Sequence, residues 1–419
     1  MKPLFTKKRV AILAVYLVAI VLAPLLSPKG YWLSLLCQIG ITTIFALSFN
    51  MLLGQTGLLS FGHAVYFGLG AFSTIHVLRI IREHHWAFPV TLLPLVGGVA
   101  GLLFGIASGY VITRRAGTTF AMISLGIGEM VAASSLMFPA FFGGEGGVSS
   151  NRVTGAGWFG INYGSPLQIY YLIAGWAFVC ILGMYALADT PLGRLANAVR
   201  DNPERAEFVG YNPQWVRYAM VVLSGFFAGV AGGLTALNYE IVTAETLNAA
   251  TSGIVIMMAF VGGVGFFHGP ILGAALITVL QIVVAGVTEA WPFYFGLLFT
   301  SVVLFAPGGI AGILAEQKRL FDAGQLGRSL RGYLWAAAPF ALCAGGLITL
   351  VEMAYALANT TEPGSAPVHV FGATLNAARP LGWAPPVVAV AAGALLLRAV
   401  SRRIAVHREA PAALLQRQA

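Results

Sequence analysis

Twelve apolar segments of spanning or half-spanning length follow one another along this chain. They run at about residues 10–26, 31–53, 57–80, 88–112, 117–139, 167–188, 218–238, 252–267, 269–288, 291–306, 333–357 and 383–399. A helix needs about 20 apolar residues to cross a hydrocarbon layer roughly 30 Å thick. Hydrophobic residues fill 58% of the 419 positions and charged residues only 9%, which leaves too little polar surface to solubilise a globule of this size. The expected fold is therefore an all-α, polytopic membrane helix bundle. The 51 glycines agree, because small residues let spanning helices approach closely.

Positive charge orients the bundle. With a cytoplasmic amino terminus, 19 of the 24 Lys and Arg fall on inner faces, and only Lys29, Arg79, Arg82, Arg152 and Arg379 fall outside. That is the excess the positive-inside rule requires, and it accounts for the net charge of +9 without a nucleic-acid partner. Lys7, Lys8 and Arg9 precede the first apolar run, but no small-residue cleavage site follows it. The run reads as a retained anchor span within residues 1–30, not as a signal peptide. Both termini are then expected in the cytoplasm. Cys37, Cys180 and Cys343 lie inside apolar runs without metal-ligand spacing; they read as packing residues, and no metal site is expected.

Residues 190–217 are a charged, helix-compatible segment between two apolar runs, on the cytoplasmic side by the charge count. Thr190 suits a helix cap and Pro191 a first turn, while Leu192, Leu195, Ala196 and Val199 recur at helical spacing. Asn202 and Pro203 end that helix and start a second through Phe208, which Gly210 closes before Asn212 and Pro213. Two short helices lying across the inner face are expected. One reading rests them on lipid head groups; another gives them a protein surface to meet. Asp189, Asp201, Glu204 and Glu207 balance Arg194, Arg200, Arg205 and Arg217, and a neutral segment matches anionic lipid poorly.

Residues 193–212 (GRLANAVRDNPERAEFVGYN) and 218–234 (YAMVVLSGFFAGVAGGL) belong to a set of ordered blocks. The others are residues 50–72 (NMLLGQTGLLSFGHAVYFGLGAF), 119–131 (TFAMISLGIGEMV) and 260–274 (FVGGVGFFHGPILGA). Together they resemble the permease subunits of branched-chain amino acid ABC importers, the LivM type. The resemblance covers about residues 31–312 and implies a permease core there, in a bacterial inner membrane. It implies two cytoplasmic ATPase subunits as partners and that the 190–213 segment docks into a cleft on an ATPase, which makes Arg194, Arg200, Asp201, Glu204, Arg205 and Glu207 candidate coupling residues. It further implies a second permease subunit, expected as a heterodimer, and a periplasmic substrate-binding protein. The chain has no GxxxxGKS/T motif, so it is not expected to be an enzyme or to bind a cofactor; ATP belongs to the partners. Branched-chain amino acids are the implied substrates, with urea, short amides and aromatic carboxylates open as alternatives.

The glycine-rich blocks have their own physical reading. Each glycine costs roughly 1 kcal/mol against alanine inside a helix, so Gly54, Gly57, Gly62, Gly262, Gly265 and Gly269 suit broken segments that pack closely or line a cavity. The two blocks loosely resemble each other. An inverted repeat would bring both near the membrane midplane, but the span count gives both the same orientation unless a segment near 252–288 is re-entrant. Gln55, Thr56, Ser60, His63 and His268 accompany the blocks; they are candidates to line a translocation path or to hydrogen-bond neighbouring helices. Glu129, near the middle of its span, is costly in lipid and should face protein or water.

Beyond residue 312 the chain departs from the family pattern. A basic cytoplasmic linker is expected at 313–332, two additional spans within 333–400, with Glu352 in the first, and a cytoplasmic tail at 401–419. Residues 140–166, with Glu145 and Arg152, form the longest outer connection and suit contact with a binding protein. The rival reading is an ion-coupled secondary transporter, which calls for paired intramembrane ionisable groups; in the core only Glu129 lies well inside a span.

Overall fold

The computed structural model describes residues 22–24, 30–84, 86, 88–153, 162–322, 326–359 and 367–399. The expected anchor span, apart from 22–24, and the expected tail lie outside these residues, as do both termini. Helices dominate, in chain order α1 Gly30–Thr56, α2 His63–His84, α3 Leu93–Ile112, α4 Thr118–Met137, α5 Pro166–Asp189, α6 Pro191–Asp201 and α7 Pro203–Phe208. They continue with α8 Pro213–Tyr239, α9 Ala249–Gly262, α10 Gly269–Ala285, α11 Trp291–Phe305, α12 Gly309–Asp322 and α13 Leu326–Asn359, and close with α14 at residues 384–399. Eight helices among the described residues are long and apolar enough to cross a membrane, and the bent pair of α11 and α12, at 42°, makes a ninth if counted as one span.

The chain divides into two compact units. One comprises Met1–Val284 with Leu298–Ile313, the other Ala285–Leu297 with Leu314–Ala419. Residues 285–297, which the sequence reading placed in the core, therefore group with the C-terminal unit, and hydrogen bonds give the reason. The Tyr294 hydroxyl donates to Glu352 at 2.7 Å, and the Tyr355 hydroxyl donates to Glu289 at 2.7 Å.

In the first unit the most extensive packing joins α3 to α8. Gly97, Gly101, Gly105 and Gly109 recur every four residues along α3, so they lie on one face. A Cβ placed on Gly101 would stand 2.1 Å from the carbonyl oxygen of Gly225, and one on Gly229 would stand 2.1 Å from that of Gly97. The two backbones are in contact, which is how spanning helices gain dispersion energy where lipid supplies no hydrophobic drive. α1 is held to its neighbours by hydroxyls: Ser224 Oγ donates to the Ser48 carbonyl at 2.7 Å, and the hydroxyls of Thr42 and Thr278 lie 3.0 Å apart.

α9 and α10 differ from the segments expected at 252–267 and 269–288. At 14 and 17 residues they are about 21 and 25 Å long, shorter than the hydrocarbon layer. They fold back on each other: a Cβ on Gly273 would collide with the Met258 carbonyl, and one on Gly262 with that of Gly269. At the far end of the unit from α6 and α7, β1 Val148–Ser149 pairs antiparallel with β2 Ile241–Val242, beside an apolar cluster that includes Phe72, Ile75, Phe142 and Leu247.

The second unit is built on α13, which carries Pro339 within it. The hairpin β3 Pro367–Val370 with β4 Ala373–Asn376 brings Val368 and Ala377 against the buried Met353. α13 and α14 approach at Gly393, whose Cβ would stand 2.7 Å from the Cys343 nitrogen. The expected linker at 313–332 is largely helical, since α12 runs to Asp322 and α13 begins at Leu326.

Candidate functional site

The segment between α5 and α8 forms the two short helices its capping residues predict. Thr190 Oγ1 accepts from the Gly193 amide at 3.3 Å, Asn202 Oδ1 accepts from Arg205 at 2.9 Å, and Asn212 Oδ1 accepts from Gln214 at 2.9 Å. Each cap precedes a proline at the first helical position, where a missing N–H costs nothing. Gly210 then reverses the chain at φ +93°. α6 buries Gly193, Ala196 and Val199, while Arg194, Asp201, Glu204, Arg205 and Glu207 are exposed. Phe208 is 91% exposed and Val209 70%, an apolar tip that a reading centred on charge missed. Its signal was available: two apolar residues ahead of a helix-closing glycine.

Arg200 behaves differently from the other five candidate coupling residues. Its Nε and Nη2 bond the carboxylate of Asp201 at 3.0 and 2.9 Å, while Nη1 donates to the carbonyl oxygen of Gly54. Gly54 lies in the last turn of α1, where carbonyls lack helical partners and the helix dipole is negative. The Arg200 stem also covers Gly57, whose φ is +69°. α6 is thereby tied to the point where α1 breaks.

The two glycine breaks lie side by side. A Cβ on Gly54 would stand 2.8 Å from the Val264 carbonyl. α1 is about 40 Å long, and its break lies against α6, so the first break occupies the end of the bundle that carries α6 and α7, not its middle. Of the candidate glycines, Gly54, Gly62, Gly262 and Gly269 meet backbone, and Gly57 needs its positive φ. Gly265 has nothing near it; the positive φ of the second break, +113°, falls at Gly263. Two serines supply what the breaks lack. Ser124 Oγ accepts from the Phe61 amide at 3.1 Å, and Ser252 Oγ accepts from the Ala64 amide at 3.0 Å, satisfying N–H groups at the start of α2.

Gln55, Thr56, Ser60 and His63 come together at the first break, all buried. His63 is enclosed by the chain's own side chains: Nε2 lies 2.9 Å from Ser48 Oγ, and Phe45, Phe49 and Tyr66 surround the ring. Thr56 donates back to the Leu52 carbonyl within α1. Asn50 Oδ1, Gln55 Oε1 and His63 Nδ1 are buried without a protein partner. His268 is exposed at the second break.

Glu129 stands apart from this group. α4 buries Ala121, Ser124, Gly128, Val131 and Ser135, while Glu129 is exposed on the opposite face with Met122 and Met130 at 74% and 63% exposure. At the twelfth of twenty helical residues, a carboxylate facing lipid costs about 3 kcal/mol on insertion scales. At the other end of the unit, Arg152 is mostly buried, not offered to a partner. Its guanidinium donates to the carbonyls of Tyr163, Leu237 and Asn238 at 2.7, 3.2 and 3.2 Å and pairs with Glu240 at 4.0 Å. Glu145 is exposed on a one-turn helix at Gly144–Gly146.

Residues 31–307 match a family described as the permease component of branched-chain amino acid transport systems. The chain is similar to the high-affinity branched-chain amino acid transport system permease protein LivM of Salmonella typhimurium, 26% identical over 66% of this chain and 69% of the relative. It is similar to LivM of Escherichia coli, 25% identical over 68% and 71%. It is also similar to the probable branched-chain amino acid transport permease protein LivH of Methanocaldococcus jannaschii, 25% identical over 64% and 88%. No solved structure matches the chain.

Proposed function

Because this chain belongs to the family of permease components of branched-chain amino acid transport systems, we propose that it is a membrane-spanning subunit of an ABC importer, carrying branched-chain amino acids or a related small polar solute across the inner membrane. The observation that carries this reading is the α6–α7 pair. It projects five charged side chains and the bare apolar tip of Phe208 and Val209, and it is bonded through Arg200 to the break in α1. Such a tip is a weak fit to water and a good fit to a cleft on a cytoplasmic ATPase. ATP would be bound and hydrolysed there, and closure of the ATPase pair would push α6 against α1.

The aromatic group Tyr110, Trp215 and Tyr218, at the same end of the bundle, suits a membrane–water interface and leaves α6 and α7 at or beyond it. This end would be cytoplasmic, and the end carrying Glu145 would face a substrate-binding protein. A second permease subunit would complete the path.

The reading is tested by reconstituting the chain with its cognate ATPase, permease and binding-protein subunits, and measuring uptake of labelled leucine, isoleucine and valine. Accumulation that requires ATP and the binding protein supports it. Accumulation by this chain alone under an ion gradient overturns it.

A further inference from the structure

The outward face of α4 carries a charge that this chain leaves uncovered. Gly126, Glu129 and Ala133 follow one another at three- and four-residue spacing and are all exposed, so they share one face. The space above Gly126 is open, with nothing within 4 Å of where a Cβ would stand. Glu129 has no hydrogen-bond or ion-pair partner among the described residues. Lipid is a poor cover for a carboxylate at mid-span, and such residues face a protein interior or water.

The inner face of the same helix is bolted to the first glycine break. Ser124 accepts from the Phe61 amide at 3.1 Å, and Gly128 lies against Gly62, whose Cβ would meet the Ser124 carbonyl. A movement of the break, to which Arg200 of α6 is bonded, would therefore displace α4 and with it the outward face.

Resting on the reading of the chain as an importer permease, we propose that the α4 face at Glu129 is closed by the second permease subunit. Glu129 then borders the water-filled path between the two subunits, where its carboxylate receives the ammonium group of an amino acid in transit. The notch made by Gly126 and Ala133 lets the solute or the facing helix approach the α4 backbone. The charge selects among substrate classes. A zwitterion passes with its ammonium toward Glu129, an uncharged amide or urea gains little from it, and an aromatic carboxylate is repelled. Two differently named permeases, LivM and LivH, match this one chain, which fits a path built from two related but distinct subunits.

The test uses the complete transporter in proteoliposomes, with Cys37, Cys180 and Cys343 replaced by alanine. Glu129→Cys is expected to react with a water-soluble, membrane-impermeant thiol reagent, and Gly126→Cys to cross-link to the facing subunit. Glu129→Gln is expected to slow leucine uptake roughly tenfold or more, the scale of one charge-assisted hydrogen bond, while the subunits still purify together; Glu129→Asp restores most of the rate. An unreactive Glu129→Cys variant, or wild-type uptake by Glu129→Gln, overturns the assignment of Glu129. If Glu129→Gln does not assemble, the reactivity of Glu129→Cys and the uptake rate of Glu129→Asp decide it in the same way. Failure of the wild-type complex to import any amino acid overturns instead the amino acid substrate on which the proposal rests.

Discussion

The guanidinium of Arg200, at the end of α6, donates a hydrogen bond to the carbonyl oxygen of Gly54 in the last turn of α1. One cation thus satisfies an end-of-helix carbonyl and sits at the negative end of the α1 dipole. It also joins the segment proposed to meet the ATPase to the segment that breaks at Gly57. Push and response meet in one bond.

Replacing Arg200 with alanine is expected to separate ATP hydrolysis from transport. The other five exposed charges and the Phe208–Val209 tip stay in place, so ATPase binding and hydrolysis persist, while leucine uptake per ATP falls roughly tenfold, the equivalent of about 1.4 kcal/mol of lost coupling. Parallel ATPase and uptake measurements on the reconstituted complex check this. Glu204→Ala, on the exposed face, is expected to change binding of the ATPase and not this ratio.

Phe208→Asp should abolish docking without harming the fold. The side chain is 91% exposed and contributes little to packing, but a buried aromatic anchor at an interface is commonly worth about 2 kcal/mol or more. Co-purification with the ATPase should be lost while the thermal unfolding midpoint of the isolated permease moves by no more than about 2 °C, a surface-scale effect. A substantially lowered midpoint would show that Phe208 serves the fold.

Two glycines of the candidate hinges should respond in opposite ways. A Cβ on Gly62 would stand 2.2 Å from the Ser124 carbonyl oxygen, so Gly62→Ala must displace α4 and is expected to cost about 2 kcal/mol or more. Gly265→Ala meets nothing within 4 Å at an ordinary backbone conformation and should be neutral to within about 0.5 kcal/mol. Thermal stability in detergent ranks the pair.

Arg152→Ala should destabilise the first unit by about 2–4 kcal/mol, because three carbonyls and Glu240 lose a charged partner together. Glu145→Ala, exposed on its turn, should leave stability unchanged. If Glu145→Ala also lowers affinity for the binding protein, measured on the purified complex, the outer loop takes part in docking.

Much of the fold was legible from residue order alone. Thr190, Asn202 and Asn212 each precede a proline, and a cap is a local device whose partner is two or three residues away; α6 and α7 therefore appear where the sequence places them. Apolar length did the same for the long spans, because the membrane, not a distant contact, sets the requirement. α9 and α10 were harder. Their glycines fit either a re-entrant segment or ordinary close packing, and the Gly262 to Gly269 and Met258 to Gly273 approaches together show the antiparallel pair.

The site residues divide along the same line. Residue type singled out Arg200, His63, Glu129 and Gly265 as candidates, and nothing local distinguished their surroundings. The partners that define them come from far along the chain: Gly54 for Arg200, 146 residues away, and Ser48 for His63, 15 away. Sequence alone determined the membrane class, the helical content and the paired short helices, since hydropathy and capping act within a few residues. Tertiary structure decided which charges face outward, which hydroxyls answer free amides and which glycines touch backbone. Those depend on which helices become neighbours, and a residue's own identity does not specify its neighbour.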